Sequence, residues 1–444
     1  MDARDRHYVA DPRDRTLGTG FLGRAIPGRL GPGDEKGKTG SVNNPANRTR
    51  EAPPMSRFGD GLALGPDLTS AARTAVEKAL APLSAPPDLV CVFVSAEDPG
   101  AVEAAGRVAM EAAGARVVVG CSANGVIGGG HGVEEASAVS AWAAVLPGAR
   151  LEPFRLETLK TEDRLIVVGM PEGEEDDVVG VLLADPYTFP VDAFVERSAE
   201  ALPGLPLVGG MADGEGRGST RLFLNGEVHE DGAVGVVLGG PITAATVVSQ
   251  GARPVGPDMV VTKADENVLY ELAGTPALDK LEEIVLGLPE EEQELAGRGL
   301  LIGVAMDEYA DEHERGDFLV RGVVGADTDT GAIAIGDVVE VGRTVRFQVR
   351  DTGAAEEDLA ELLERFEMAP VEGALLFSCN GRGRAMFPDS DHDARVVHRA
   401  FGPSGVGGFF AAGEIGPVSG RNHVHAFTAS ILAFGPAENR EPAP

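Results

Sequence analysis

Ser378-Cys379-Asn380-Gly381-Arg382-Gly383-Arg384 sets a hydroxyl, a thiol, a carboxamide and two guanidinium groups side by side in this 444-residue chain. Ala412-Gly413-Glu414-Ile415-Gly416-Pro417 then adds a carboxylate among glycines. Arg382 could hold a carboxylate or phosphate through two parallel bonds. On an extended backbone it would share one face with Arg384. Glu414 could receive an amino group or pair with Arg382, and the two together would suit a zwitterion such as an amino acid. Cys379 could act as a nucleophile only beside a base that generates thiolate. His398, His423 and His425 are the candidates by residue type, while a small buried core thiol is the competing reading. His425 is as well explained by a hydrogen bond within the fold. No complete catalytic set emerges. The reading is therefore a small-ligand-binding protein rather than an enzyme, with a Cys379-dependent hydrolase or transferase and a non-catalytic interaction scaffold as alternatives.

These residues need elements to position them, and the same arrangement recurs three times. Residues 89–95, 178–184 and 374–377 are apolar runs that read as buried strands, each followed by a helical pattern over 99–113, 191–202 and 391–401. A second strand then runs into a loop: Gly120-Cys-Ser-Ala-Asn-Gly125, Gly209-Gly-Met-Ala-Asp-Gly214 and Gly408-Phe-Phe-Ala-Ala-Gly413. All three loops obey Gly-x-x-Ala-x-Gly, and further strands, 136–146, 233–238 and 424–434, complete the units. A strand–helix–strand segment in one sheet implies a parallel crossover, and the returning strand makes the sheet mixed. Glycine at a strand end admits a close approach by backbone or ligand. The fold class that follows is α/β, with mixed sheets, flanking helices and two subdomains. The candidate binding residues at the loop ends are Cys121, Ser122, Asn124, Asp213, Cys379, Asn380, Arg382, Glu414 and His425. Asn124 and Asp213 occupy the same loop position, where either could also serve as a local cap.

Around these units, residues 69–83 read as an Ala-rich helix capped by Asp67 or Thr69. A long insert over 241–370 contains strands near 300–306, 318–326, 332–335 and 345–350 and helices near 276–288 and 354–366. An acidic surface turn is expected at 289–294. Asp307, Glu308, Asp311 and Glu312 read as a solvated acidic loop rather than a cation site. The expected division is a disordered tail over 1–54, an N-terminal domain over 55–260, a C-terminal domain over 261–436 and a disordered tail over 437–444. Residues 1–54 carry ten Lys/Arg against seven Asp/Glu, whereas the whole chain carries a net charge of −32. Met55 could be the true start of translation. A strongly acidic protein is a poor match for nucleic acid, whose phosphates demand a basic footprint, or for an anionic membrane surface. No apolar run is long enough to span a bilayer and no secretory signal opens the chain. Three cysteines without metal-type spacing point to a reducing, cytoplasmic setting. Neither a metal nor a cofactor is indicated. Aromatic residues are only 5% of the chain, so the interior is expected to be built from Ala, Val and Leu.

The glycine loops, Leu207-Val-Gly-Gly-Met-Ala-Asp-Gly214, Pro276-Ala-Leu-Asp, Phe377-Ser-Cys-Asn-Gly-Arg-Gly383, Gly413-Glu-Ile-Gly-Pro417 and His425-x-x-Thr428 together resemble the FIST (F-box and intracellular signal transduction) family. The resemblance covers roughly residues 85–435 and includes both its N-terminal and its C-terminal region. It implies a sensory module that binds a small molecule, an amino acid among the candidates, and passes the signal to a protein partner. The family supplies no settled catalytic residues, and no kinase motif, receptor tail or F-box accompanies the resemblance in this chain.

Overall fold

A computed structural model describes residues 57–436 apart from 162–164, 215, 311, 369 and 403–404. The expected tails over 1–54 and 437–444, and the Met55 start, lie outside the described residues. The fold is α/β with mixed sheets, and its main body is the threefold repeat. In the first unit, strands Leu89–Ser95 and Val117–Ser122 pair in parallel around helix Pro99–Ala113, and Ala138–Val145 returns antiparallel to the first strand. The second unit does the same with Asp177–Ala184, helix Val191–Ala201, Leu207–Met211 and Ala233–Gly239. The third uses Gly373–Cys379, helix His392–Phe401, Gly405–Ala411 and Thr428–Gly435. Each return strand is flanked by one more antiparallel strand: Arg57–Leu64, Arg150–Lys160 and Thr243–Gln250.

The units are tied together by an exchange of hairpins that periodicity does not reveal. The hairpin Gly125–Gly128/His131–Glu134 leaves the first unit and extends the third unit's sheet at Gly405–Ala411. The third unit's hairpin, Glu414–Val418/Arg421–His425, extends the second at Leu207–Met211. The second unit's hairpin, Leu222–Leu224/Glu227–His229, extends the first at Val117–Ser122. The exchange closes on itself, so each sheet is completed by a segment of another unit.

The first glycine of each loop has a common physical reason. Gly120, Gly209 and Gly408 stand in register with Val92, Leu182 and Leu376 on the parallel neighbour. A Cβ at any of the three would collide with that partner's carbonyl oxygen. The aromatic residues, few as they are, concentrate where the first and third units meet. Phe58, Trp142 and Phe434 pack ring on ring at 5.4–5.6 Å, and Phe93 stacks on Phe409 at 4.8 Å. Ala, Val and Leu fill the remaining core, but the seam between units is aromatic.

Thr243–Gln250 and helix Thr352–Glu364 bracket a separate antiparallel sheet in the insert. Its strands Thr344–Arg350, Met259–Asp265, Val268–Leu272, Ala332–Ile335, Phe318–Asp327 and Leu300–Ala305 close into a barrel by pairing the last with the first. The insert's expected strands are present. The acidic turn expected at 289–294 is instead part of helix Glu290–Arg298, where Glu290, Glu291 and Glu292 face the positive end of the helix dipole. The strand expected over 424–434 is two strands, Arg421–His425 and Thr428–Gly435, interrupted at Phe427 with φ of 61°. The Ala-rich helix spans Leu68–Leu80, and Asp67 rather than Thr69 caps it by accepting from the Ser70 N–H.

Candidate functional site

The carboxyl ends of the parallel strands converge, which in α/β sheets is where ligands are held. At that end the three loops grip one another in a ring. The Asp213 N–H donates to the Ser122 carbonyl at 3.2 Å, and the Ser122 hydroxyl donates to the Asp213 carbonyl at 2.8 Å. Ala412 N–H donates to the Met211 carbonyl at 3.1 Å, and Phe410 pairs with Gly125. The fifth residues of the loops, Asn124, Asp213 and Ala412, are equivalent; Asn124 and Ala412 are exposed and Asp213 is half-buried. Asn380, from the third unit, donates its side-chain amide to Asp213 Oδ2, and the Gly214 N–H donates to Oδ1. Burial pushes the Asp213 carboxyl up, against the pull of these donors. Asn380 Oδ1 is buried without a hydrogen-bond partner. The Tyr187 hydroxyl donates to the Gly214 carbonyl at 3.2 Å and borders the same carboxylate. Cys121 lies directly behind, its thiol pushed up by burial and by Cys91 and Asp213.

Beneath this ring is a buried polar network centred on the motif residues. Gly373–Cys379 and Gly405–Ala411 do lie side by side in one sheet, but Glu414 opens a strand of the second unit's sheet and meets the Cys379 thiol from there. The Glu414 carboxyl is fully buried and accepts from the Thr428 hydroxyl at 2.8 Å and the Thr428 N–H at 3.2 Å. Burial outweighs Thr428, Cys379 and Arg382 and raises it to about 8. Glu414 is therefore largely protonated at neutral pH. Arg382 is fully buried and meets Asp393 with two parallel bonds, Nε to Oδ2 at 2.7 Å and Nη2 to Oδ1 at 2.9 Å. Ser378 donates to Asp393 at 2.7 Å and His392 Nδ1 lies 3.0 Å from it. Burial would raise the Asp393 carboxyl, but Arg382 and the other donors hold it well below the usual range. Arg382 Nη1 and Glu414 Oε1 are buried without hydrogen-bond partners.

Several expectations change on this geometry. Arg382 and Arg384 do not share a face, because the chain turns into the short helix Gly383–Met386, leaving Arg384 exposed near Glu135. The close partner of Arg382 is Asp393, not Glu414. His425 turns its Nε2 to the Gly416 carbonyl at 3.0 Å, and burial lowers it to about 3. Burial lowers His423 to about 4, and His398 lies against Gly130. The Cys379 thiol faces Glu414 and the backbone N–H groups of Gly381 and Phe427, and burial pushes it far up. Asn422 holds Leu207 and Leu205 backbone groups at 2.9 Å. Glu308 is bound by Arg343 and the Thr344 N–H, and no metal-type cluster occurs among the described residues. Sequence reasoning missed Asp393 and Tyr187, and it named Thr428 only as part of the closing motif, without a role. Asp393 had a signal, a carboxylate in the first turn of the helix that follows two arginines, whereas the pairing of Thr428 with Glu414 is identified only by the fold.

The FIST N domain is matched over residues 88–275 and the FIST C domain over 277–417. The chain belongs to the FIST family, whose domains are associated with sensing in signal transduction. Among its relatives, Uncharacterized protein MT0656 of Mycobacterium tuberculosis (strain CDC 1551 / Oshkosh) is 44% identical over 386 residues, 85% of this chain and 99% of the relative. Uncharacterized protein Mb0898c of Mycobacterium bovis (strain ATCC BAA-935 / AF2122/97) is 44% identical over 321 residues, 71% of this chain and 82% of the relative. Among the described residues, no helix is long and apolar enough to cross a membrane.

Proposed function

We propose that this protein senses a small polar molecule bound where the three glycine loops meet, and that occupancy is passed to a protein partner. The observation that carries the reading is the convergence of Ser122, Asp213 and Asn380, one from each unit, around a half-buried carboxylate and an unpartnered carboxamide oxygen. Acceptors dominate this end, so the ligand carries a cationic amine, an amino acid being the simplest case. Asp213 and Asn380 receive the ammonium group, Ser122 and Asn124 border it, and Cys121 forms the floor. Arg382, Glu414 and Cys379 support the site from beneath. His425 fixes the Glu414–Val418 hairpin and has no direct part in binding.

Thiol catalysis is the weaker alternative. A buried thiol kept protonated beside a largely protonated carboxyl has neither the thiolate nor the base that nucleophilic chemistry needs. We further propose a division into an N-terminal part over 55–260 and a C-terminal part over 261–436, with a cytoplasmic location. The test is a thermal-shift screen of the full chain against amino acids, other amines, organic acids and nucleotides. A ligand at about a hundred times its dissociation constant should add roughly 2.7 kcal/mol of stability. An amine-bearing hit that vanishes in both Asp213→Ala and Asn380→Ala supports the site; hits confined to anions would refute it.

A further inference from the structure

Phe427 is a bulky residue with φ of 61°, a backbone conformation that side chains of its kind rarely adopt. Such outliers persist only where surrounding contacts fix them, and they point to function more often than ordinary positions do. Its contacts run in two directions. Toward the buried network, its N–H faces the Cys379 thiol and its ring lies over Gly381, where a Cβ would stand 2.7 Å from the ring. The next residue, Thr428, donates both its N–H and its hydroxyl to Glu414. Toward the insert, the ring packs against Ala252, Leu301 and Val320, and the Arg350 guanidinium lies over it at 5.4 Å. Its carbonyl accepts from the Gly251 N–H at 2.9 Å, at the point where the chain enters the insert.

We infer that Phe427 is a positioning residue that transmits the state of the Glu414–Cys379 pair to the barrel of the insert, making that barrel the output surface of the protein. The inference rests on the sensor reading only in taking ligand occupancy as the natural cause of a change at Glu414. A second route leads from Glu414 through its register partner His425 and the Arg421–His425 strand to Phe318–Asp327, so the ring is tested where it packs, at Leu300–Ala305, and replacing it should cut the connection there.

Hydrogen–deuterium exchange of the full-length chain tests this without any ligand. Wild type, Glu414→Gln, Phe427→Ala and the double variant are compared at Leu300–Ala305, where Leu301 meets the ring. Glu414→Gln should change exchange rates in this strand by about threefold or more, and this change should disappear in the Phe427→Ala background. An unchanged strand in Glu414→Gln, or an equal change in both backgrounds, overturns the inference. Should Phe427→Ala fail to fold, Phe427→Leu, which keeps apolar bulk but removes the ring, is read by the same two outcomes. Because no ligand is added, a negative ligand screen and a negative exchange result reject different claims.

Discussion

At the scale of single residues, burial decides what the charged groups can do. Arg382 reads from the sequence as a free hand for an anionic ligand, but Asp393 occupies two of its donors in the interior. Removing one member of a buried pair leaves an uncompensated charge, so Asp393→Ala should cost about 3–5 kcal/mol in denaturant unfolding, with Asp393→Asn costing less. A loss below 1 kcal/mol would mean the guanidinium is solvated instead. Glu414 carries the opposite kind of consequence. Its folded value of about 8 lies above its ordinary value of 4.5, so the folded state binds the proton more tightly than the unfolded chain does. Stability from this group is full below the ordinary value and is lost as pH rises through about 8, with a ceiling on the order of 5 kcal/mol. Glu414→Gln should therefore flatten the fall in melting temperature between about pH 5 and pH 9. An unaltered slope would show that Glu414 is ionised in the native protein. The types and spacing of these residues were legible, because polar groups interrupt apolar runs. Their partners were not, since Asp393 and Thr428 meet them only through tertiary register.

At the scale of elements, the strands, the helices and the threefold recurrence could be read because each unit repeats the same apolar pattern and ends in the same glycine loop. The hairpin exchange could not. Gly125–Gly128 and Leu222–Leu224 are short, and nothing in a short strand specifies which sheet edge it will join. The break at Phe427 was hidden too, because an aromatic residue in an apolar run reads as strand. The glycine loops offer a paired test. Gly408→Ala places a methyl group against the Leu376 carbonyl and should cost about 1–3 kcal/mol or more. Gly297→Ala, with open space around a position inside helix Glu290–Arg298, should stabilise by about 0.4–1 kcal/mol. Equal effects of the two substitutions in thermal melting would refute the packing argument.

At the scale of the whole molecule, the exchange makes the repeat a closed structure rather than an open array. Removing the third unit by truncation after residue 370 would strip the Gly125–Gly128 hairpin of its partner sheet and expose the edge of Leu207–Met211. Such edges invite association. The truncated chain should aggregate or melt without cooperativity, whereas a stable monomer with a sharp transition would show that the units fold independently. The closure also explains how three modest loops form one site: each contributes a few polar groups, and none is complete alone. The most direct measurement is a calorimetric titration of the strongest stabilising amine into wild type, Asp213→Asn and Asn124→Ala. The account predicts at least about a tenfold loss of affinity in Asp213→Asn, equivalent to 1.4 kcal/mol, and a smaller loss in Asn124→Ala. Undiminished affinity in Asp213→Asn would place the ligand elsewhere and contradict it.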